Sequence, residues 1–481
     1  MKAIAWTLGI MALAAWILPA SSSAAPIPKP KSTHAPAKRF EVDGTLRAYI
    51  FDKTQYSKVT APGGKPTPNQ HATNFGLRLH AQYAMSPQLT LGATYYGAEP
   101  FYTNGPCSQA TNYAPGGACT AALSNRVDNT LPAYALSTLG EAYLDYHANG
   151  AHVRVGNQLM NTPWAQPIDG RMKPNLFQGI TSDFGVAKNL TLSVDRITRF
   201  ESRTSSAFLP TTFVTKPGQF VSGMLYSTLA YKGARSPVTA MVGLYNFYNI
   251  ANLLYSEAHV ALNPKSPLAP TLGLQYMTEN TAGRAYAGLI QNQTFGMQGT
   301  AQLGRNFTFS AGLDAAPWRS RTVTAASAAA AEAGLFLPAG GSPIVHANGN
   351  GTYTVYYGGI ASPYTGAYAG DALFTSIPTG SMAQRQSAGA STKLALGFKT
   401  NNARFQGQLA ESRFDFTNAA GSESTKVDFA EAVYFFGPKK PKGFAGLSLR
   451  DRYIVRTQTN VQIFGGLPTL QYNRVQFEYT F

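Results

Sequence analysis

The chain is poor in charge, has only two cysteines and, beyond its first 18 residues, contains no long apolar run. Asp, Glu, Lys and Arg make up 13% of its 481 residues, whereas aromatic residues reach 12% and glycine supplies 46 residues. No later apolar stretch approaches the ~20 residues of a membrane-spanning helix, and the sequence is too polar for a helix bundle. Strands with one apolar and one polar face average to such a composition.

Motifs of enzymes and of metal sites are also missing. The sequence contains no GxSxG turn, no phosphate-binding Gly-Lys-Ser/Thr and no GxGxxG after a strand. Its seven histidines show neither HxxxH nor His/Cys spacing, so we expect no metal site and no cofactor. We expect no enzyme; the one catalytic alternative left open is a barrel hydrolase that brings His80 or His152 to a Ser or Asp in a lumen.

Basic residues exceed acidic ones without forming a compact patch. Without Lys2, 38 basic and 23 acidic residues remain, a net charge of +15. The basic runs are only KPK and KKPK, which argues against a nucleic-acid groove. Dispersed basic residues suit the electric field inside a pore.

The first residues are typical of an export signal. Lys2 precedes an apolar run over 3–18, and small residues follow, which suits cleavage after Ala24. We expect a signal peptide at 1–24, since the run is short for a membrane anchor. A Pro/Lys-rich leader without a core-forming pattern follows at 25–39.

The two cysteines lie in one polar stretch, NGPCSQATNYAPGGACT. In an oxidising compartment we expect Cys107 and Cys119 to form a disulfide. A loop of this size is stabilised by about 3 kcal/mol in the chain-entropy model.

From Phe40 onward, segments of about ten residues alternate between apolar and polar side chains. FEVDGTLRAYIF, for example, places Phe40, Val42, Leu46 and Ile50 on one face. We count eighteen such segments. This even number predicts an all-β fold, a transmembrane antiparallel β-barrel over 40–481.

The joins between the segments alternate in length. AMSPQ, HANGA, AKN, GRN and TNNA are tight, and Asn149-Gly150 in HANGA is a type I′ hairpin signal. The opposite joins are long, roughly 99–135, 160–176, 200–219 and 316–388. This parity is typical of short periplasmic turns and long extracellular loops.

The longest join, 316–388, is rich in Ala, Gly and Tyr and shows no strand pattern. A wide barrel can hold such a loop across its mouth or in its lumen. For the Ala-rich half, an external loop is an equal alternative.

The last segment, RVQFEYTF, places Val475, Phe477, Tyr479 and Phe481 on one face. We expect this segment to close the barrel against the strand near Phe40. The terminal aromatic residue with apolar residues two, four and six positions earlier resembles the signal read by the barrel-assembly machinery, which is therefore an expected partner.

A motif-rich region of about seventy residues goes beyond architecture. It contains Gly140-Glu141-Ala142-Tyr143, Asn161-Thr162-Pro163-Trp164, Asp169-Gly170-Arg171-Met172-Lys173-Pro174-Asn175, Phe177-Gln178-Gly179 and Thr198-Arg199-Phe200, with weaker echoes in GGSP (340–343) and PTGS (378–381). With these motifs the chain resembles the OprD family of outer-membrane porins. The resemblance implies an eighteen-stranded channel, narrowed by infolded loops, in which a ladder of arginines guides small carboxylate-bearing solutes. At Asn157 the family usually has an arginine, and this departure puts anion selectivity in question.

Alternation alone nominates arginines for the lumen. In LSLRDRYIVR the arginines lie opposite Leu447, Leu449 and Tyr453, and the same rule applies on other strands. With Arg171 from the loop motif, either a constriction residue or a structural clamp, the predicted substrate pathway consists of Arg47, Arg78, Arg154, Arg171, Arg404, Arg450, Arg452 and Arg474. The alternative is that these arginines only pair with acidic loop residues such as Asp169 or Glu141.

We therefore expect an outer-membrane porin for passive, substrate-selective diffusion of amino acids and organic or aromatic acids. Its expected partners are these solutes, outer-membrane lipid and lipopolysaccharide, and the assembly machinery, but no nucleic acid. A general porin or a structural barrel is the alternative. A monomer and a homotrimer both stay open.

Overall fold

Alternating side chains build one large antiparallel sheet in a computed structural model of the chain. The structure describes residues 39–56, 70–103, 113–114, 118–119, 135–163, 165–167, 171–203, 205–210, 223–233, 236–284, 291–316, 319–326, 345–357, 364–365, 388–418, 421–437, 439–440, 443–444, 446–458 and 469–481. Among these residues no helix is long and apolar enough to cross a membrane.

Eighteen strands form the barrel, numbered in chain order. They are β1 Phe40–Tyr56, β2 Gln70–Ala84, β3 Leu89–Thr103, β4 Leu136–Ala148, β5 Ala151–Gln158, β6 Leu176–Ala187, β7 Leu190–Glu201, β8 Met224–Lys232, β9 Val238–Phe247, β10 Ala251–Ala261, β11 Thr271–Thr281, β12 Gln291–Leu303, β13 Phe307–Ala315, β14 Ala388–Lys399, β15 Phe405–Asn418, β16 Gly421–Phe435, β17 Gly446–Gln458 and β18 Thr469–Thr480. Each predicted segment corresponds to one strand. The predicted eighteen-stranded barrel is confirmed.

The sheet closes on itself. β1 pairs antiparallel with β2 along one edge and with β18 along the other. The remaining strands pair with their neighbours in the chain. Full closure leaves no unpaired strand edge, as a bilayer requires.

The two faces of each strand differ as the alternation predicts. Leu46, Leu394 and Leu409 point outward and are exposed, as lipid-facing residues are when no lipid is counted. On the opposite face of the same strands, Tyr49 and Ser412 are fully buried inside the barrel. Lipid therefore meets an apolar exterior, and the lumen is lined largely by polar and aromatic residues.

Short turns gather on the rim that also holds the start of β1. In the turn between β4 and β5, Asn149 (φ 48°) and Gly150 (φ 81°) have the positive φ angles of a type I′ turn. The longer connections lie on the opposite, extracellular rim. Two connections on that rim depart from the pattern, since β9 leads to β10 through residues 248–250 and β15 to β16 through residues 419–420.

Two backbone hydrogen bonds join the end of the last strand segment to the start of β1. Phe481 N–H donates to Gly44 O (3.0 Å), and Gly44 N–H donates to Phe481 O (3.1 Å). The Phe481 ring lies over Gly44, where an added Cβ would come within 2.2 Å of Phe481 Cζ. Glycine at this position lets the aromatic ring cover the seam.

The long join 316–388 contains strands that its sequence did not suggest. Arg319–Thr324, Val345–Ala347 and Thr352–Tyr357 form a separate three-stranded antiparallel sheet. β-branched residues and tyrosines in TVT and TYTVYY explain these strands. They were missed because each is short and flanked by Ala- and Gly-rich sequence.

Several expectations fall outside the described residues. These are the signal peptide at 1–24, nearly all of the leader at 25–39, the Cys107 end of the disulfide with Cys119, and the GGSP and PTGS echoes.

Candidate functional site

The connection between β5 and β6 turns into the lumen. Met172 is buried in a cluster with Tyr49 and Phe51 of β1 and Ala72 of β2, whose side chains face inward. At Gly76 of β2, an added Cβ would lie 2.7 Å from Met172 Cε. The loop therefore rests directly on the inner wall and narrows the pore.

A buried ion pair fixes this loop to the end of β7. Lys173 Nζ lies 2.9 Å from Glu201 Oε1, with side-chain exposures of 1% and 0%. The ammonium also donates to Ser202 O (2.6 Å), and Thr138 Oγ1 donates to Glu201 Oε2 (3.3 Å). Burial lowers the pKa of Lys173 to about 8, although Glu201 acts to raise it.

Backbone contacts hold the rest of the motif. Asn175 Oδ1 accepts from Arg203 N–H (3.0 Å), and Asn175 Nδ2 donates to Gln166 O (3.4 Å). Thr162 and Ala165 form an isolated bridge that the Thr162 hydroxyl reinforces (Ala165 N to Oγ1, 3.0 Å). The residues that carry the family resemblance thus serve, in large part, to fold the loop inward.

Arg171 contacts the wall through its backbone. Arg47 Nη1 donates to Arg171 O. The same guanidinium binds Glu478 Oε2 through Nη2 (2.7 Å) and Nε (3.0 Å). Arg47 therefore links the infolded loop to β1 and β18. Of the two interpretations of Arg171, the backbone contact of this residue fits a structural clamp.

Basic side chains occupy successive lumen rows of four neighbouring strands, β17, β18, β1 and β2. The register places Arg78 beside Thr45, Arg450 in the row of Tyr49, and Arg452 and Arg474 together in the row of Phe51. We call the full set the basic wall; it consists of Arg47, Lys53, Arg78, Arg450, Arg452, Arg456 and Arg474. Sequence reasoning missed Lys53 as a pathway residue, although it shares the parity of Arg47.

The basic wall carries more positive charge than its partners neutralise. On the described residues of these strands and of β16, the rows from Asp43 to Gln55 contain three inward carboxylates, Asp43, Glu431 and Glu478. Arg452 Nε donates to Glu431 Oε2 (2.7 Å). Arg474 lies across from Arg452 in register and stacks over the Tyr49 ring at 5.4 Å. Seven cations against three anions leave a net charge of about +4 along this strip.

The remaining nominated arginines lie elsewhere. Arg154 faces the lumen on β5, donates to Asp145 Oδ2 (2.5 Å) and stacks on the Tyr143 ring at 4.2 Å. On the basic wall itself, Arg78 Nη1 lies 3.2 Å from Asp43 Oδ1. Arg404 is in the short turn before β15, where its carbonyl accepts from Phe435 N–H. The predicted segment began two residues too early, so Arg404 is at the periplasmic rim rather than on a strand.

Asn157, the departure from the family, does not lie on the basic wall. Asn157 Oδ1 accepts from Gln178 Nε2 (2.9 Å). Its neighbour two residues earlier, Val155, is 45% exposed on the outer face. By alternation Asn157 belongs to that face, so the basic wall is complete without an arginine here.

The long loop reaches the opposite wall at Tyr364. Its hydroxyl donates to Glu257 Oε1 (2.9 Å) on β10. Burial and the neighbouring Glu257 raise the pKa of Tyr364, so the hydroxyl stays a donor. Gly312 of β13 lies under the Tyr364 carbonyl, which an added Cβ would approach to 2.1 Å. Tyr364 and Thr365, which belong to the join 316–388, therefore lie in the lumen rather than outside the barrel.

The wall that receives Tyr364 is rich in carboxylates. Asp314 on β13 accepts from Thr365 Oγ1 (2.6 Å) and Gln275 Nε2 (2.8 Å). Glu279 on β11 is fully buried and accepts from Asn292 Nδ2 (3.2 Å). In the described part of β10 to β14, the inward charged residues are Glu257, Glu279, Asp314, Lys393 and, at the periplasmic end, Lys399, with His259 beside Glu257.

A further group gathers at the periplasmic end of the lumen. Asp145, His147 and His152 lie with one ligand atom each within 4.8 Å of one another. Sequence spacing gave no sign of this group. The β4–β5 hairpin brings it together, because His147 and His152 are direct partners across Asn149-Gly150.

Comparisons with known proteins agree with this architecture. A family model described as "outer membrane porin, OprD family" matches residues 115–316. No curated protein matches the chain.

Solved structures match nearly the whole chain. Pseudomonas aeruginosa OpdK, in a crystal structure with vanillate, is 15% identical with a TM-score of 0.63, covering 92% of this chain and 98% of OpdK. A BenF-like porin from Pseudomonas fluorescens is 13% identical with a TM-score of 0.65, covering 92% and 98%. Acinetobacter baumannii OccAB4 is 15% identical with a TM-score of 0.64, covering 93% and 100%. At these identities the likeness of the structures establishes the barrel fold.

Proposed function

Because the chain is an outer membrane porin of the OprD family, we propose that small carboxylate-bearing solutes diffuse passively and selectively along its basic wall. The protein is a channel rather than an enzyme. The proposed solutes are amino acids and organic or aromatic acids. The observation that carries this proposal is the run of seven cations, with three carboxylates among them, on successive lumen rows.

The spacing of the rows suits a relay. Residues two apart on a strand are about 6.8 Å apart, so a solute can bind one guanidinium before it leaves the previous one. A guanidinium binds a carboxylate through two parallel hydrogen bonds and keeps its charge at any working pH. Several weak sites in series permit exit as well as entry.

The infolded loop supports selectivity. It rests on β1 and β2 beside Arg47, so it narrows the pore at the height of the basic wall. OpdK was crystallised with vanillate, a small aromatic carboxylate. That observation belongs to OpdK and supports the same solute class here.

The test removes charge from the wall without exposing a buried carboxylate. Arg450→Gln combined with Arg474→Gln lowers the net charge of the strip from about +4 to about +2, while Arg47 and Arg452 stay to neutralise Glu478 and Glu431. A hydrogen bond to a charged group contributes ~1.5–3 kcal/mol. We expect benzoate to block the channel with an apparent dissociation constant raised roughly tenfold or more, and the reversal potential in a salt gradient to move toward zero.

Arg413→Gln is the matched control. Arg413 lies on the outer face of β15 beside Asp415 (3.1 Å), so the same charge change there should leave both measurements as in the wild type. Benzamide, the neutral analogue of benzoate, should block neither channel. Equal block by benzoate and benzamide, or an unchanged reversal potential in the double variant, would favour the general porin instead.

A further inference from the structure

Two histidines and an aspartate converge on the lumen side of the β4–β5 hairpin. The His147 and His152 rings are stacked, 4.2 Å between centroids and 3° between planes. Both rings direct Nε2 at the same atom, Asp145 Oδ1, at 3.2 Å and 2.7 Å. Alternation places all three side chains inward, since Leu144 and Tyr146 between them are exposed on the outer face.

We propose that Asp145, His147 and His152 bind a divalent transition-metal ion, Zn²⁺ or Cu²⁺, at the periplasmic end of the pore. In a tetrahedral site with bonds of ~2.0–2.1 Å, ligand atoms are about 3.3 Å apart. The first separation, 3.2 Å, lies near this value, whereas the second, 2.7 Å, is a hydrogen-bond distance that must lengthen when an ion enters. The two rings must also tilt out of their parallel stack, because an ion bound by both Nε2 atoms lies in the plane of each ring.

Neighbouring side chains orient the proposed ligands. Asp183 Oδ2 on β6 lies 3.5 Å from His152 Nδ1, so it favours the tautomer that leaves Nε2 free to bind metal. Asp183 is itself held by Ser193 Oγ (2.5 Å). Arg154 binds Asp145 Oδ2 and leaves Oδ1 to face the histidines. In metal sites, the second ring nitrogen of a histidine ligand often donates to a carboxylate in this way.

The ligand types indicate which ion can bind, and the exposure of the histidines indicates that it can exchange. Two imidazoles and one carboxylate suit Zn²⁺ and Cu²⁺, whereas Mg²⁺ and Ca²⁺ prefer oxygen ligands. The histidine side chains are 36% and 27% exposed, so water in the lumen can fill the remaining positions and ions can exchange. Protonated histidines can make the same contacts with Asp145, and the experiment must separate the two cases.

The experiment measures Zn²⁺ binding by isothermal titration calorimetry on the full-length, detergent-purified channel at pH 7.5. The purification tag contains no histidine. We compare the wild type with the double variant His147→Ala/His152→Ala, with Asp183→Asn, and with His80→Ala. His80 is a lumen histidine bound to Thr94 Oγ1 (2.8 Å) away from this group and is the matched control. Heat-modified migration on a gel confirms that each variant is folded.

We expect one Zn²⁺ per chain in the wild type and in His80→Ala. The double variant should lose this binding, and Asp183→Asn should weaken it about ten- to a hundredfold because it orients a ligand. Cu²⁺ should bind more tightly than Zn²⁺, and Mg²⁺ should give no signal. Equal Zn²⁺ binding by the wild type and a folded double variant, or none by either, would overturn the proposal.

Discussion

The ion pair between Lys173 and Glu201 offers the most direct test of what holds the infolded loop. In Lys173→Met the Glu201 carboxylate, with 0% exposure, loses its counter-ion. Breaking a buried pair from one side costs ~3–5 kcal/mol, about two to four powers of ten in the equilibrium between docked and undocked loop. Burial of the neighbouring Met172 contributes only ~1.5–3 kcal/mol. We therefore expect the loop to leave the wall for much of the time.

Single-channel recording in planar bilayers measures this directly. The variant should show a larger mean conductance and frequent transitions between levels, because the loop that narrows the pore moves. The double variant Lys173→Met/Glu201→Leu replaces the pair by apolar side chains, which is often neutral or stabilising, and should return the conductance to the wild-type level. If folded Lys173→Met has the wild-type mean conductance and shows no added transitions between levels, the ion pair does not hold the loop.

The pKa of Lys173 adds a pH dependence with a definite sign. Burial lowers this pKa from 10.5 to about 8 in the docked loop. Between these values the undocked loop binds more protons, so raising the pH through this window favours docking. The wild-type conductance should stay constant or fall from pH 8 to pH 10. A rise over this range would contradict the assignment.

Two further substitutions test the seam and the long loop. Gly44→Val places side-chain atoms where the Phe481 ring lies, so the stability of the barrel should fall by ~1–3 kcal/mol. The barrel should then unfold at a lower temperature, as measured by heat-modified gel migration. In the control Gly299→Val the added Cβ meets no atom within 4 Å, and the loss of stability should be smaller. Tyr364→Phe removes the hydrogen bond to Glu257, at a cost of ~1–3 kcal/mol, and should speed protease cleavage within 316–388. The control Tyr434→Phe, on the outer face, should not change the cleavage rate. Equal cleavage rates in the two variants would refute the role of Tyr364 as an anchor.

The strands were predictable because a barrel imposes a period of two on every segment. Leu447, Leu449 and Tyr453 opposite Arg450 and Arg452 show this rule, and the exceptions on the same strand are Asp451 on the outer face and Ile454 on the inner face. The boundaries were less predictable, and Arg404 fell into a turn because alternation does not mark where pairing ends. Lys53 was overlooked because the predicted segment ended at Phe51, whereas β1 continues to Tyr56.

Contacts between distant segments could not be predicted in the same way. Met172 above Gly76 and Tyr364 above Gly312 depend on where loops descend into the lumen, and no local pattern encodes that descent. The histidine group is an intermediate case. Folding HANGA as a type I′ hairpin already pairs His147 with His152. The spacing rule did not indicate this group because the rule assumes a helix or a chelating loop.

The carboxylates under Tyr364 have a consequence for how solutes turn. β10 lies nine strands from β1 in the ring of eighteen, so Glu257 and its neighbours stand across the pore from the basic wall. Opposed charges create a field perpendicular to the direction of travel. If the proposed solutes cross here, a zwitterion would experience a torque in this field and would cross side-on, with its ammonium toward β10 and its carboxylate toward β1. A simple monoacid carries no second charge to align and would only be drawn sideways. The two kinds of solute would therefore lose different amounts of rotational freedom at the same narrow point.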